Sequence, residues 1–136
     1  MLPLSEIYFR NIYEVELSSN TVFTFSLQNY KPNSFFKNSF AIVTAGNPNN
    51  TDLTSEENSK RNAVLYSELN STHVLNAKGC YLDHCEESYL VYDLSLNEAL
   101  LLGRKHEQVA IFYNDTKRLI YIDCENERVI SERKVE

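Results

Sequence analysis

The chain has 136 residues, a length that suits one domain with one core, since folding then buries about two-thirds of the unfolded surface. Hydrophobic residues at 43% and charged residues at 24% exclude a disordered tail and a coiled coil. A net charge of -6 opposes binding to nucleic acid, which draws on Lys and Arg releasing condensed counterions, and no stretch approaches the roughly 20 apolar residues of a membrane span.

Residues 1–10 place Glu6 among apolar residues and lack both a basic start and a continuous apolar run. No signal peptide is read there, and a cytoplasmic location is expected. Residues 4–11 read as a short helix, with Leu4, Ile7 and Tyr8 at helical spacing. Residues 13–17 and 22–27 alternate in polarity around Ser18-Ser19-Asn20 and read as a β-hairpin. After a polar loop at 31–34, residues 40–45 form the continuous apolar run of a strand covered on both faces. The run stops at Gly46-Asn47-Pro48-Asn49-Asn50, a turn-forming cluster.

Thr54 and Glu57 have the spacing of a capping box, and Leu65 and Leu69 give an apolar face to a helix over residues 55–69. Residues 74–82 and 88–94 read as strands. Ser95 and Glu98 repeat the capping box ahead of a second helix at 96–105. Residues 109–113 and 119–122 bracket the turn residues Asn114-Asp115-Thr116-Lys117, and residues 128–131 read as a charged edge strand. From Phe40 onward the order is strand, helix, strand, strand, helix, strand. This predicts an α+β, ferredoxin-like split β-α-β core in a single domain. Both helices lie on one face of a mostly antiparallel sheet, and the N-terminal hairpin extends an edge.

Asn58, Arg61 and Asn62 stand at i, i+3 and i+4, so they share one face of the first two helical turns, and Leu65 and Leu69 continue it toward the core. Thr44 and Asn47 sit in the turn just before. Such a cluster has two readings. Either the amides and guanidinium satisfy the backbone of the 46–53 loop, or the helix start and Arg61 form a small anion or carbonyl site.

The segments Phe40-Ala41-Ile42-Val43-Thr44-Ala45-Gly46-Asn47-Pro48, Glu57-Asn58 with Arg61-Asn62, Glu86-Glu87-Ser88-Tyr89-Leu90-Val91, and Leu102-Gly103-Arg104 followed by Gln108-Val109-Ala110-Ile111 occur in that order. Together they resemble the landmarks of a family of small bacterial proteins, domain of unknown function 3293. The resemblance spans residues 40–112 and implies relatives but no activity. It points to Thr44, Asn47, Pro48, Asn58, Arg61, Glu86, Ser88, Gly103, Arg104 and Gln108. The chain departs from the pattern in four places. Gly46 stands where Trp is typical, the Trp usual before Glu86 is missing, His106-Glu107 replaces an aromatic-Gly pair, and Val109 replaces Asn. If the missing aromatics line a ligand pocket in the relatives, this chain binds a different ligand or none.

Cys80, Cys85 and Cys124 are odd in number, which argues for reduced thiols over a disulfide framework. Cys80, His84 and Cys85, with His106 or Cys124, offer metal-ligand chemistry but lack the Cys-x2-Cys hook of structural zinc sites, so neither a metal nor a cofactor is expected. Cys85 abuts Glu86 and Glu87, which disfavour its thiolate. The one argument for an enzyme is Glu86 or Glu87 as a general base near Arg61, against the commoner structural ion pair. The expected function is binding of a small polar or anionic ligand, or of a partner segment, at Thr44, Asn47, Asn58, Arg61, Asn62, Glu86 and Gln108. The alternative is a protein-interaction or homo-oligomer module built on an edge strand, and an enzyme of unknown reaction stands third.

Overall fold

The structure, a computed structural model, describes residues 2–69 and 73–136. The glycosylation-like triplet Asn70-Ser71-Thr72 lies outside them. The chain opens with α1 (Leu4–Arg10), then β1 (Ile12–Ser18) and β2 (Thr21–Phe25), which pair antiparallel with Tyr13 opposite Phe25. A 3-10 turn at Ser34–Lys37 precedes β3 (Phe40–Val43). Next come α2 (Ser55–Glu68), β4 (Val74–Tyr81), β5 (His84–Tyr92) and α3 (Leu96–Lys105). The chain finishes with β6 (Ala110–Asn114), β7 (Arg118–Asp123) and β8 (Val129–Lys134).

Both capping boxes are formed. The Thr54 hydroxyl accepts from Glu57 N at 3.1 Å while Glu57 Oε1 accepts from Thr54 N at 3.2 Å. Ser95 and Glu98 repeat the exchange at 3.1 and 3.2 Å. In each case the side chains satisfy backbone N–H groups that have no partner within the helix.

The eight strands form one sheet in the order β2-β1-β4-β5-β3-β6-β7-β8, with every neighbouring pair antiparallel. In a flat sheet the five steps from β1 to β7 would separate them by about 24 Å at about 4.8 Å per strand. Yet the rings of Tyr13 on β1 and Tyr121 on β7 stack with centroids 6.2 Å apart, and Phe25 on β2 meets Phe112 on β6 at 5.6 Å. The sheet is therefore curled into a half-barrel.

This corrects the ferredoxin-like expectation of a sheet with two helices on one face. The reason lies in β3, whose four residues are all buried and serve two cores. Ala41 and Val43 join Leu65 of α2 and Leu100 of α3 on the convex face. Phe40 and Ile42 face the other way, into a concave core with Tyr13, Val15, Phe25, Phe36, Leu90, Phe112 and Tyr121. Helices cover the convex face. On the concave face the sheet bends round its own aromatic residues, because so much apolar surface must leave water. The third helix, α1, packs against β8 and puts Tyr8 and Phe9 onto the concave core, bridging the two ends of the sheet.

Candidate functional site

β3 stops at Val43 because the next residues bond sideways rather than into the ladder. Thr44 Oγ1 donates to Glu87 O at 2.7 Å, and Ala45 N donates to Asn62 Oδ1 at 2.8 Å. Asn47 takes a left-handed conformation, φ 45, which Asn tolerates better than most residues. Its N–H donates to Asn58 Oδ1 at 2.8 Å, and its own Oδ1 accepts from Leu53 N at 3.0 Å and Asn58 Nδ2 at 2.9 Å. That leaves Asn47 Nδ2 aimed at Glu86, whose Oε1 accepts from it at 2.8 Å.

Arg61 looks the other way. Its Nε donates to Ala45 O at 2.6 Å and its Nη2 to His106 O at 2.9 Å, with Glu107 Oε1 at 3.9 Å. Asn62 Nδ2 donates to Glu87 O at 3.2 Å, and Gln108 Nε2 donates to Gly46 O at 3.0 Å and His106 O at 3.1 Å. Asn47, Asn58 and Glu86 thus form one hydrogen-bonded chain. Arg61 and Asn62 brace the back of the same loop, and among the described residues Arg61 makes no ion pair with Glu86. Glu107 holds φ 57, a left-handed conformation that glycine adopts more readily.

In front of the loop, at the open end of the half-barrel, lies a cavity of about 320 Å3. Tyr13, Ile42 and Tyr121 form its floor above the concave core. One wall is α1 with Ile7 and Tyr8, followed by Asn11. The opposite wall is the loop, through Thr44, Asn47, Asn50 and Asp52, together with Gln108. β5 contributes His84, Glu86 and Ser88, alternate residues that the pleat turns to one face, and Cys85 also reaches the lining. Of the residues expected from the sequence, Thr44, Asn47, Glu86 and Gln108 line this space, whereas Asn58, Arg61 and Asn62 do not.

The aromatic residues of the lining carry no sequence signal of a site, because Tyr8, Tyr13 and Tyr121 look in sequence like ordinary helix and sheet positions. The rings of Tyr8 and Tyr121 stack at 4.6 Å, and Asn11 Nδ2 donates to the Tyr121 hydroxyl at 2.9 Å. Burial pushes the Tyr8 phenol up to about 12, with the charge of Glu86 adding to the effect. Burial raises Tyr13 and Tyr121 as well. All three hydroxyls are therefore neutral near pH 7. Glu86 is raised above its ordinary 4.5, chiefly by burial, against the hydrogen bond from Asn47 and with the help of Asp52. Among the described residues the lining includes the carboxylates Glu86 and Asp52 but no Lys or Arg.

The thiols depart from expectation. Cys80 and Cys85 form a disulfide, so they are not reduced. They stand directly opposite each other in the β4–β5 ladder, and a count of cysteines is blind to that register. Cys124 is a buried free thiol that burial pushes up to about 11. The His106 ring bonds Glu68 Oε1 at 2.7 Å, and Lys105 also pairs with Glu68.

No curated protein and no solved structure matches the chain. The family model described as "Protein of unknown function (DUF3293)" matches residues 43–111, just over half of the chain. The matched segment runs from the end of β3 into β6 and carries Thr44, Asn47, Glu86, Ser88 and Gln108 of the lining. Tyr8, Asn11, Tyr13 and Tyr121 lie outside it. By this match the chain belongs to the DUF3293 family.

Proposed function

We propose that this protein is a small-molecule-binding module whose ligand site is the cavity at the mouth of the half-barrel. The observation that carries the reading is the combination in one concave space: an aromatic floor, converging amides and hydroxyls, and a half-buried carboxylate held in place by Asn47. Ligand sites are typically concave and largely apolar, with a few placed polar groups and perturbed acids. The size, about 320 Å3, falls at the lower end of the usual range of about 300–1,000 Å3.

An anionic ligand at Arg61 has less support, since that guanidinium is committed to two backbone carbonyls behind the loop. Asn58, Arg61 and Asn62 then act as the brace that holds Asn47 against Glu86. The edge-strand alternative finds no specific observation in its favour. β2 is short and β8 carries charged residues, both of which blunt edge pairing.

A fragment panel tested by thermal shift and ligand-observed NMR checks the proposal, with Ala110→Phe as the variant that fills the lining from β6. The expected result is a set of binders to the natural protein whose signals disappear in the folded variant. A panel without binders, or binders indifferent to the substitution, would remove the proposal.

A further inference from the structure

We propose that the cavity selects a small organic cation, a protonated amine or amidine joined to a flat or apolar body, with the cationic group on Glu86 and the body against Tyr8 and Tyr121. This rests on the reading of the cavity as a ligand site. It names the ligand class from the charge and shape of the lining.

Three features converge on it. First, among the described residues the cavity around Glu86 has no Lys or Arg to neutralise it, and His84 is its one basic side chain. Glu86 Oε1 takes one amide hydrogen bond from Asn47, and among the described residues Oε2 has no protein partner. A half-buried carboxylate paired only with a neutral donor favours a ligand that brings a positive charge. Its orientation is preset, because Asn47 is held by Leu53 and Asn58 through its other atoms. Second, Asp52 lies on the rim of the same cavity and adds a second negative charge, and the chain's net charge of -6 draws cations inward over a longer range. Third, the floor and the α1 wall present aromatic rings. Tyr8 and Tyr121 stack at 4.6 Å and Tyr121 and Tyr13 at 6.2 Å, so the three rings form one aromatic stack that lines the cavity and against which a flat or apolar body can pack. A carboxylate or phosphate ligand would meet Glu86 and Asp52 with no Lys or Arg on the lining to offset them.

Benzylammonium, benzyl alcohol and benzoate share a ring and differ in charge, so NMR titration with the three reads charge preference directly. Tyramine and agmatine extend the cation set to other bodies. At pH 7.5 at least one cation should bind at least ten-fold more tightly than benzyl alcohol, and benzoate more weakly than either. Glu86→Gln should weaken the bound cation at least ten-fold and change benzyl alcohol less than two-fold. Asp52→Asn should give a smaller loss, and Glu125→Gln, an exposed carboxylate away from the cavity, no change. Benzoate or benzyl alcohol binding as well as the cations would overturn the ligand class while leaving the cavity a ligand site. So would a cation indifferent to both Glu86→Gln and Asp52→Asn. If nothing in this set or in the wider fragment panel binds, both readings fall together.

Discussion

At the scale of single residues, Glu86 shows how one carboxylate can work against the stability of its own fold. Burial raises its proton affinity above the ordinary 4.5, and the one hydrogen bond from Asn47 offsets only part of that. The folded state therefore keeps its proton over a pH window in which the unfolded chain has already released it. The contribution of Glu86 to stability is greatest below the unfolded value and falls as pH rises through the folded one. Glu86→Gln removes this titration but keeps an oxygen that Asn47 can donate to. The variant should melt higher than the natural protein at pH 7, and the gain should shrink toward pH 4. Thermal melts at the two pH values check it, and a gain of equal size at both would count against a charge penalty at Glu86. Natural proteins commonly give up stability in this way at sites used for binding. The acid itself was legible as a candidate in the sequence. Asn47 was a candidate beside it; what the sequence did not tell was where Arg61 turns, because a place on an expected helix face does not fix the direction of a guanidinium, and here backbone carbonyls claim it.

At the scale of elements, local chemistry sets the helices and close packing sets how they dock. The capping boxes at Thr54 and Ser95 were readable because a reciprocal bond between positions three apart depends on nothing distant. The role of Gly103 was readable only as a landmark of the family pattern. It lies inside α3, where glycine costs about 1 kcal/mol relative to Ala in helix propensity. The packing supplies the reason. A Cβ there would sit 2.5 Å from Cys124 Sγ and 2.9 Å from Ile111 Cγ2, so the missing side chain is what lets α3 lie down on the sheet. Arg104 follows at once, its Nε donating to Cys124 O at 2.6 Å. Overpacking typically costs about 1–3 kcal/mol, so Gly103→Ala should destabilise by up to about 2 kcal/mol net despite its better helix propensity. Denaturant unfolding measures this. Adding Cys124→Ala should recover part of the loss by removing the nearest contact. A Gly103→Ala protein as stable as the parent would mean that α3 shifts freely, against this account.

At the scale of the whole molecule, the concave core draws on every one of the eight strands or on residues packed against them, so the two ends of the sheet depend on each other. Phe112 sits at the meeting point, with its ring near those of Tyr13, Phe25, Phe40 and Tyr121. Phe112→Ala should cost about 3–5 kcal/mol. Near-UV and far-UV circular dichroism should report one shared transition, as expected if the curled sheet unfolds as a unit. Two separated transitions would show instead that the outer strands fold independently of the middle. The sequence alone determined where the helices begin, which runs are strands, and that Phe40 to Val43 is covered on both faces. Those properties follow from hydrogen bonds and alternation within a few residues. Only the tertiary structure decided what covers each face, that Cys80 meets Cys85, and that Tyr8, Tyr13 and Tyr121 from opposite ends of the chain close a cavity over Glu86. Alternation tells that a strand face is apolar; it carries no record of which distant surface will take that face out of water.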